Sequence, residues 1–184
     1  KNIDIPISGG LDVAMPKMAA VRQHFDDAHI SDVEKAVHEQ ITRPEIAARV
    51  HSGMSIAIGA GSRGIANIGI AVRATVQALR ELGAKPFVFP AMGSHGGATA
   101  EGQQAVLAGY GITEEDVGAP IRATMDTVLI GKMEDGTPVH MDRYAHEADG
   151  VVLINRIKPH TSFRGPIESG VVKMMVIGMG KIQG

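Results

Sequence analysis

Five residues of this chain are of types that do chemistry, and each lies close to a glycine or past the end of an apolar run: Ser62, Arg63, His95, His160 and Lys173. An imidazole, with an ordinary pKa of about 6.5, takes or gives a proton near neutrality, so two of them on either side of a small substrate can share acid and base work. A guanidinium such as that of Arg63 offers a planar fork to the two oxygens of a carboxylate. Lys173 stands among Val171, Val172, Met174, Met175, Val176 and Ile177. A core helix tolerates such a charge only when it is paired or put to use. Desolvation favours the neutral amine, a nucleophile able to hold a carbonyl or thiocarbonyl group or to form a Schiff base. The plainer alternatives are a lysine that reaches water or pairs with Glu168, and histidines that are solvated loop residues. His24, His29, His38, His51, His140 and His146 have no comparable setting.

The elements that must position these residues alternate between strand and helix. Ser31-Asp32-Val33-Glu34 is a capping-box pattern ahead of an apolar stripe at Val33, Val37 and Ile41, and Thr42-Arg43-Pro44-Glu45 starts a second helix expected to end near Gly53. Met54 to Ile58 reads as a buried strand. Ile65, Ile68, Val72, Val76, Leu79 and Leu82 then recur at helical spacing up to a C-terminal glycine, Gly83. Pro86 to Phe89 is a second buried strand, Thr99 can cap a helix that ends at Gly109-Tyr110-Gly111, and Ile121 to Met125 could add a strand. Asp135-Gly136 between two apolar runs signals a hairpin. Gly150 to Asn155 is again a continuous apolar strand, and the chain after Glu168 can return to helix. The expected fold is α/β and Rossmann-like: a mostly parallel or mixed sheet with helices on both faces, plus a β-hairpin.

In such a sheet the ligand crevice lies beyond the carboxyl ends of the strands. Ile58 leads to Ser62 and Arg63, Phe89 leads to Ser94 and His95, and Ile154 leads to Asn155, Lys158 and His160, so parallel neighbours would gather these residues on one rim.

Composition narrows the partners. With no cysteine, disulfides and thiolate metal sites are excluded, and a reducing cytoplasm is compatible, which makes a cytoplasmic enzyme the expectation. A net charge of −2 and 3% aromatic residues leave little with which to grip phosphates or stack bases, so nucleic acid is not expected as a partner. No apolar run approaches the roughly 20 residues of a membrane span. At 184 residues the chain fits one domain, 1–184, whose ends look cut from something longer.

Gly59-Ala60-Gly61-Ser62-Arg63-Gly64 also satisfies the dinucleotide pattern between a strand and a helix. That fingerprint expects an acidic residue at the end of the next strand, which here runs Phe87-Val88-Phe89-Pro90-Ala91 without one. A non-catalytic domain that binds a nucleotide or small anion is the alternative reading these glycines support.

Taken together, Gly93-Ser94-His95, the helix opening Thr99-Ala100-Glu101, and His160 followed by Ser169-Gly170-Val171-Val172-Lys173 resemble the N-terminal domain of the nickel-dependent lactate racemase family. The likeness runs from about Met54 to Gly184 and is sharpest from Asn155 onward. The resemblance implies a racemase or epimerase of a 2-hydroxy acid. His95 and His160 would be its acid/base pair, and Lys173 would carry a covalent nickel-pincer nucleotide. Ser62 and Arg63 resemble the family's Thr-Arg element beside the substrate carboxylate. The chain departs from the pattern at Ala60, where the family has aspartate, and at Gly64, where it has proline. The stretch between His160 and Lys173 is also three residues longer than in the lactate enzymes. By the same resemblance the nickel-binding histidine and the C-terminal domain lie past Gly184, so no metal ligand is assigned here, and this domain is expected to be inactive alone.

Overall fold

The computed structural model describes residues 17–184 apart from Arg63 and Phe163. Its centre is a three-stranded parallel sheet in the order β2-β1-β5, built from β1 (Ser55–Ala60), β2 (Lys85–Pro90) and β5 (Gly150–Ile154). β1 and β2 are buried along almost their whole length, which explains why both read as unbroken apolar runs. Side chains alternate between the faces. Ile56, Ile58, Ala60 and Val88 point to one side, where Val72, Val76 and Leu79 of α3 (Ile68–Glu81) cover them together with Leu107 of α4 (Ala100–Ala108) and Val117 of α5 (Glu114–Val117). Ala57, Phe87 and Phe89 point to the other, against Ala145 of α6 (Arg143–Glu147) and Met179 near the end of the chain. Helical segments therefore lie on both faces, as expected.

Local signals account for most boundaries. α3 ends where expected, its next residues closing through Gly83, whose φ of +85° suits only glycine well. Thr99 caps α4 by accepting the Gly102 N–H at 3.0 Å. The hairpin forms between β3 (Thr127–Lys132) and β4 (Pro138–Asp142), with Asp135 closing its turn onto the Thr137 N–H and Gly136 at φ +87°.

Three expectations are corrected. In α1 (Val33–Ile41) the cap is Asp32, whose carboxylate takes the Lys35 N–H, not Ser31. The next helix, α2 (Pro44–Ala47), is a single turn without a side-chain cap, after which the Arg49 and Val50 amides close tighter turns onto Ile46 and Ala47. Among the described residues, those from Ile121 make only one bridge, to Val88, before the chain leads on to β3. The hairpin does not join the parallel strands but forms its own sheet.

α4 packs against the loop after β2 with no room to spare. A Cβ on Gly102 would collide with the carbonyl oxygen of Gly96, and one on Gly96 with the carbonyl carbon of Gly102. Both obstacles are backbone and cannot rotate away. Gly102→Ala should therefore lower stability by about 1–3 kcal/mol through overpacking, read as a drop in denaturation midpoint, and an unchanged midpoint would contradict this packing.

Candidate functional site

Parallel pairing of β1 with both neighbours brings three carboxyl-end loops to one rim. They enclose a cavity of about 330 Å³. Ser62 enters it from the β1 loop, His95 from the β2 loop, and Asn155, Arg156, Lys158 and His160 from the β5 loop. Lys173, at the end of α7 (Gly170–Lys173), completes the ring, while Ile65, Met92, Met174 and Ile177 supply apolar wall. Four of the five residues singled out by type and position thus share one hollow. Arg63 lies outside the described residues.

The two histidines are held differently. His95 is half-buried, and its Nδ1 is 2.6 Å from Ser62 Oγ. A hydroxyl can donate to a bare ring nitrogen or accept from a protonated one, so this contact survives either state of the imidazole. His160 Nδ1 instead accepts the backbone N–H of Ser162 at 3.1 Å. A peptide N–H only donates, so in this arrangement Nδ1 carries no proton and a neutral His160 ring has its hydrogen on Nε2.

Glu168 shapes the loop that bears His160. Its Oε2 accepts the His160 N–H at 2.8 Å, its Oε1 accepts the Gly165 N–H at 3.0 Å, and Arg164 pairs with it at 3.6 Å. The His160 and Gly165 amides, with the nearby His160 ring, hold its carboxyl below the usual glutamate range. Sequence spacing suggested that Glu168 might serve Lys173; it is engaged by its own loop. Ser169 Oγ accepts the Lys158 N–H at 2.8 Å, closing the same loop onto the start of α7.

Lys173 is half-buried, and the apolar residues around it, Met174 excepted, are not core. Val171, Val172, Met175, Val176 and Ile177 are all 43–54% exposed, which corrects the inference of a buried setting from their composition. After Lys173 the helix widens: Met179 N–H bonds back to Met174 C=O, five residues earlier, around a π-helical turn over Met174–Gly178. Such insertions are frequent at functional sites. Arg156, which sequence reasoning did not advance as a site residue, and Lys158, which it placed on the rim, add cationic side chains, and Arg156 Nη1 donates to Gly64 C=O at 2.8 Å, tying the β5 loop to the β1 loop. Three cations, Arg156, Lys158 and Lys173, against the already hydrogen-bonded Glu168 make the cavity suited to an anion.

Nothing in this geometry requires a dinucleotide. Gly59 lies inside β1, where a Cβ would come within 2.6 Å of Leu153 and 2.9 Å of Phe89, so close packing accounts for it. The helix that would meet a pyrophosphate starts only at Ile68, four residues past Gly64, with Asn67 at φ +57° as an uncapped start. Among the described residues no three His, Asp or Glu side chains gather as a metal site, and no helix is long and apolar enough to cross a membrane.

This α/β domain gathers a serine and two histidines from its strand-end loops and a lysine from α7 around one hollow suited to an anion. Comparison with family models matches residues 2–183 to the lactate racemase N-terminal domain, and the chain belongs to that family. No curated protein matches it significantly.

The Glu168 anchor has a pH signature. A carboxylate whose folded pKa is depressed contributes stability that is complete above its ordinary value of 4.5 and is lost as pH falls through the lowered folded value. Amide exchange at His160 and Gly165 should therefore accelerate on acidification below that value, and Glu168→Gln should make exchange there fast and nearly independent of this titration. Equal acid profiles in the two proteins would exclude the anchor.

Proposed function

We propose that this chain is the catalytic N-terminal domain of an isomerase that inverts the hydroxyl-bearing carbon of a 2-hydroxy acid, with Lys173 carrying a nickel-pincer nucleotide and a C-terminal domain completing the enzyme. The observation that carries this reading is the meeting of His95, His160 and Lys173 around one cavity, within a chain that belongs to the lactate racemase N-terminal family. The residues present fit the organic part of such a group: a primary amine for the covalent bond, beside an apolar wall of Ile65, Met92, Met174 and Ile177. When bound, the group supplies a two-electron acceptor that takes the hydride from the substrate carbon and gives it back.

The protein's own part is to hold the acid and to move its hydroxyl proton. Arg156 and Lys158 attract the carboxylate into the cavity, and Arg63 follows Ser62 as the guanidinium able to grip it in a fork. β1 lies between β2 and β5, so His95 and His160 approach from loops on opposite sides of the β1 loop. One histidine takes the hydroxyl proton as the C–H bond breaks, which leaves a planar keto acid. The second histidine would give a proton to the oxygen on the inverted carbon, and the reverse reaction would exchange their roles. Ser62 serves this cycle because its hydroxyl can follow His95 through both protonation states. In the present loop arrangement His160 is set as a donor through Nε2, and acting as base there requires giving up the Ser162 contact.

Intact mass spectrometry of the full-length protein, produced together with the enzymes that make the cofactor, should find an adduct that Lys173→Ala abolishes along with racemisation. A wild-type protein that racemises its acid without any mass added at Lys173 would reject the cofactor role. His95→Ala and His160→Ala should each reduce kcat by about 10²- to 10⁴-fold while leaving the adduct in place, and a histidine whose loss costs less than tenfold is not part of the pair.

A further inference from the structure

Behind the cavity lies a lysine that the proposed chemistry does not use. Lys181 is 1% exposed and sits at φ +56°, an unusual backbone conformation for a residue with a side chain. Its Nζ donates to the Pro90 carbonyl at 2.5 Å and to Gln103 Oε1 at 3.1 Å, and stands 3.0 Å from Asp142 Oδ2. Three oxygens thus surround a group with three protons. Asp142 is fully buried as well; its Oδ1 caps α6 at the Ala145 N–H. Its Oδ2 has no well-aligned hydrogen bond among the described residues, so the facing ammonium is what compensates its charge. Burial pushes the Asp142 carboxyl up and the Lys181 ammonium down, and each charge opposes the other's shift.

A buried ion pair of this kind is seldom the most stable filling for its space, since apolar residues of equal volume do as well or better. Its distinctive contribution is to specify geometry, and here the geometry leads to Gln103. That side chain is 0% exposed, and its Nε2 donates to Gly93 C=O at 2.7 Å and to His95 C=O at 3.3 Å. An ammonium can only donate and a carbonyl can only accept. The amide therefore has one satisfied orientation, oxygen toward Lys181 and nitrogen toward the loop; the flipped form would set NH₂ against NH₃⁺ and oxygen against two carbonyls. Lys181 also lies in the segment that follows α7 and Lys173, and Asp142 N–H bonds to Met179 C=O at 2.6 Å within the same join.

We propose that Gln103 and Lys181 are positioning residues for His95: the lysine, balanced by Asp142, orients the Gln103 amide, and that amide holds the Gly93–His95 backbone so that the imidazole faces the cavity opposite Lys173. The kinetic consequence rests on the acid/base role proposed for His95, whereas the placement of the ring does not.

The test uses the full-length protein loaded with cofactor. Gln103→Met removes the amide at similar volume; Gln103→Glu keeps an acceptor for Lys181 but turns an oxygen toward the two carbonyls. Lys181→Met with Asp142→Leu removes both charges together and avoids a lone buried ion. Each is followed by denaturation midpoint, by mass at Lys173, by kcat and KM, and by the ring ¹⁵N signals of His95 and His160. Misplacing a catalytic group by a fraction of an ångström to an ångström should lower kcat by about 10- to 100-fold in folded, loaded variants, with KM changed little. His95 ring signals should shift while those of His160 stay. A folded Gln103→Met or double variant with kcat within about threefold of the parent and His95 signals unmoved overturns the proposal. If the wild-type protein racemises nothing, the functional reading falls, and the ring signals alone decide the placement: a shift supports it and none overturns it.

Discussion

Parallel pairing of β1 with β2 on one side and β5 on the other is the constraint on which the rest of this domain depends. Parallel neighbours all end on the same side of a sheet, so segments that follow Ala60, Pro90 and Ile154 must emerge together, whatever their separation along the chain. Burial enforces the arrangement. Had β5 paired one residue out of register, Leu153 would have exchanged faces with Val152 and Ile154, and the two clusters that sandwich the sheet could not both have closed.

Two lysines eight positions apart in one segment lie in contrasting surroundings. Lys173 reaches a cavity open to ligand, where an amine can react; Lys181 is shut away with Asp142 and Gln103, where it can only bond. Removing an ammonium and a carboxylate from water is expensive, and their mutual attraction offsets this only with close geometry and further hydrogen bonds. Lys181 meets those conditions with Pro90 C=O and the Gln103 amide. The π-helical turn between the two lysines sets the path by which one faces outward and the other inward.

The two histidines of the cavity have unlike surroundings. A hydroxyl, able to donate or accept, faces the Nδ1 of His95, while a peptide N–H, able only to donate, faces that of His160. The Glu168 carboxylate and its two amide bonds hold the His160 loop, and among the loop's described residues Ile157 and Ile167 are exposed.

Much of the scaffold was legible from residue order. Apolar runs marked all three central strands, the stripe from Ile68 to Leu79 marked α3, and Thr99 and Gly83 marked element ends, because each signal acts within a few residues. Strand-end residues and the family likeness also singled out Ser62, His95, His160 and Lys173, which share the cavity. What lay beyond local signals depended on contacts between distant segments. Val171, Val172, Met175, Val176 and Ile177 looked like core but face outward, whereas Met174 and Met179 pack under the sheet, since helical spacing alone does not say which side another element will cover. Lys181, by contrast, carried no mark in the sequence at all: a lysine between glycine and isoleucine becomes a buried cation only when Pro90, Gln103 and Asp142, separated from it by 39 to 91 positions, are folded around it. Residue types determined which chemistry was possible here; the tertiary structure decided which groups meet, because charge burial and hydrogen-bond satisfaction are properties of surroundings that no single stretch of chain contains.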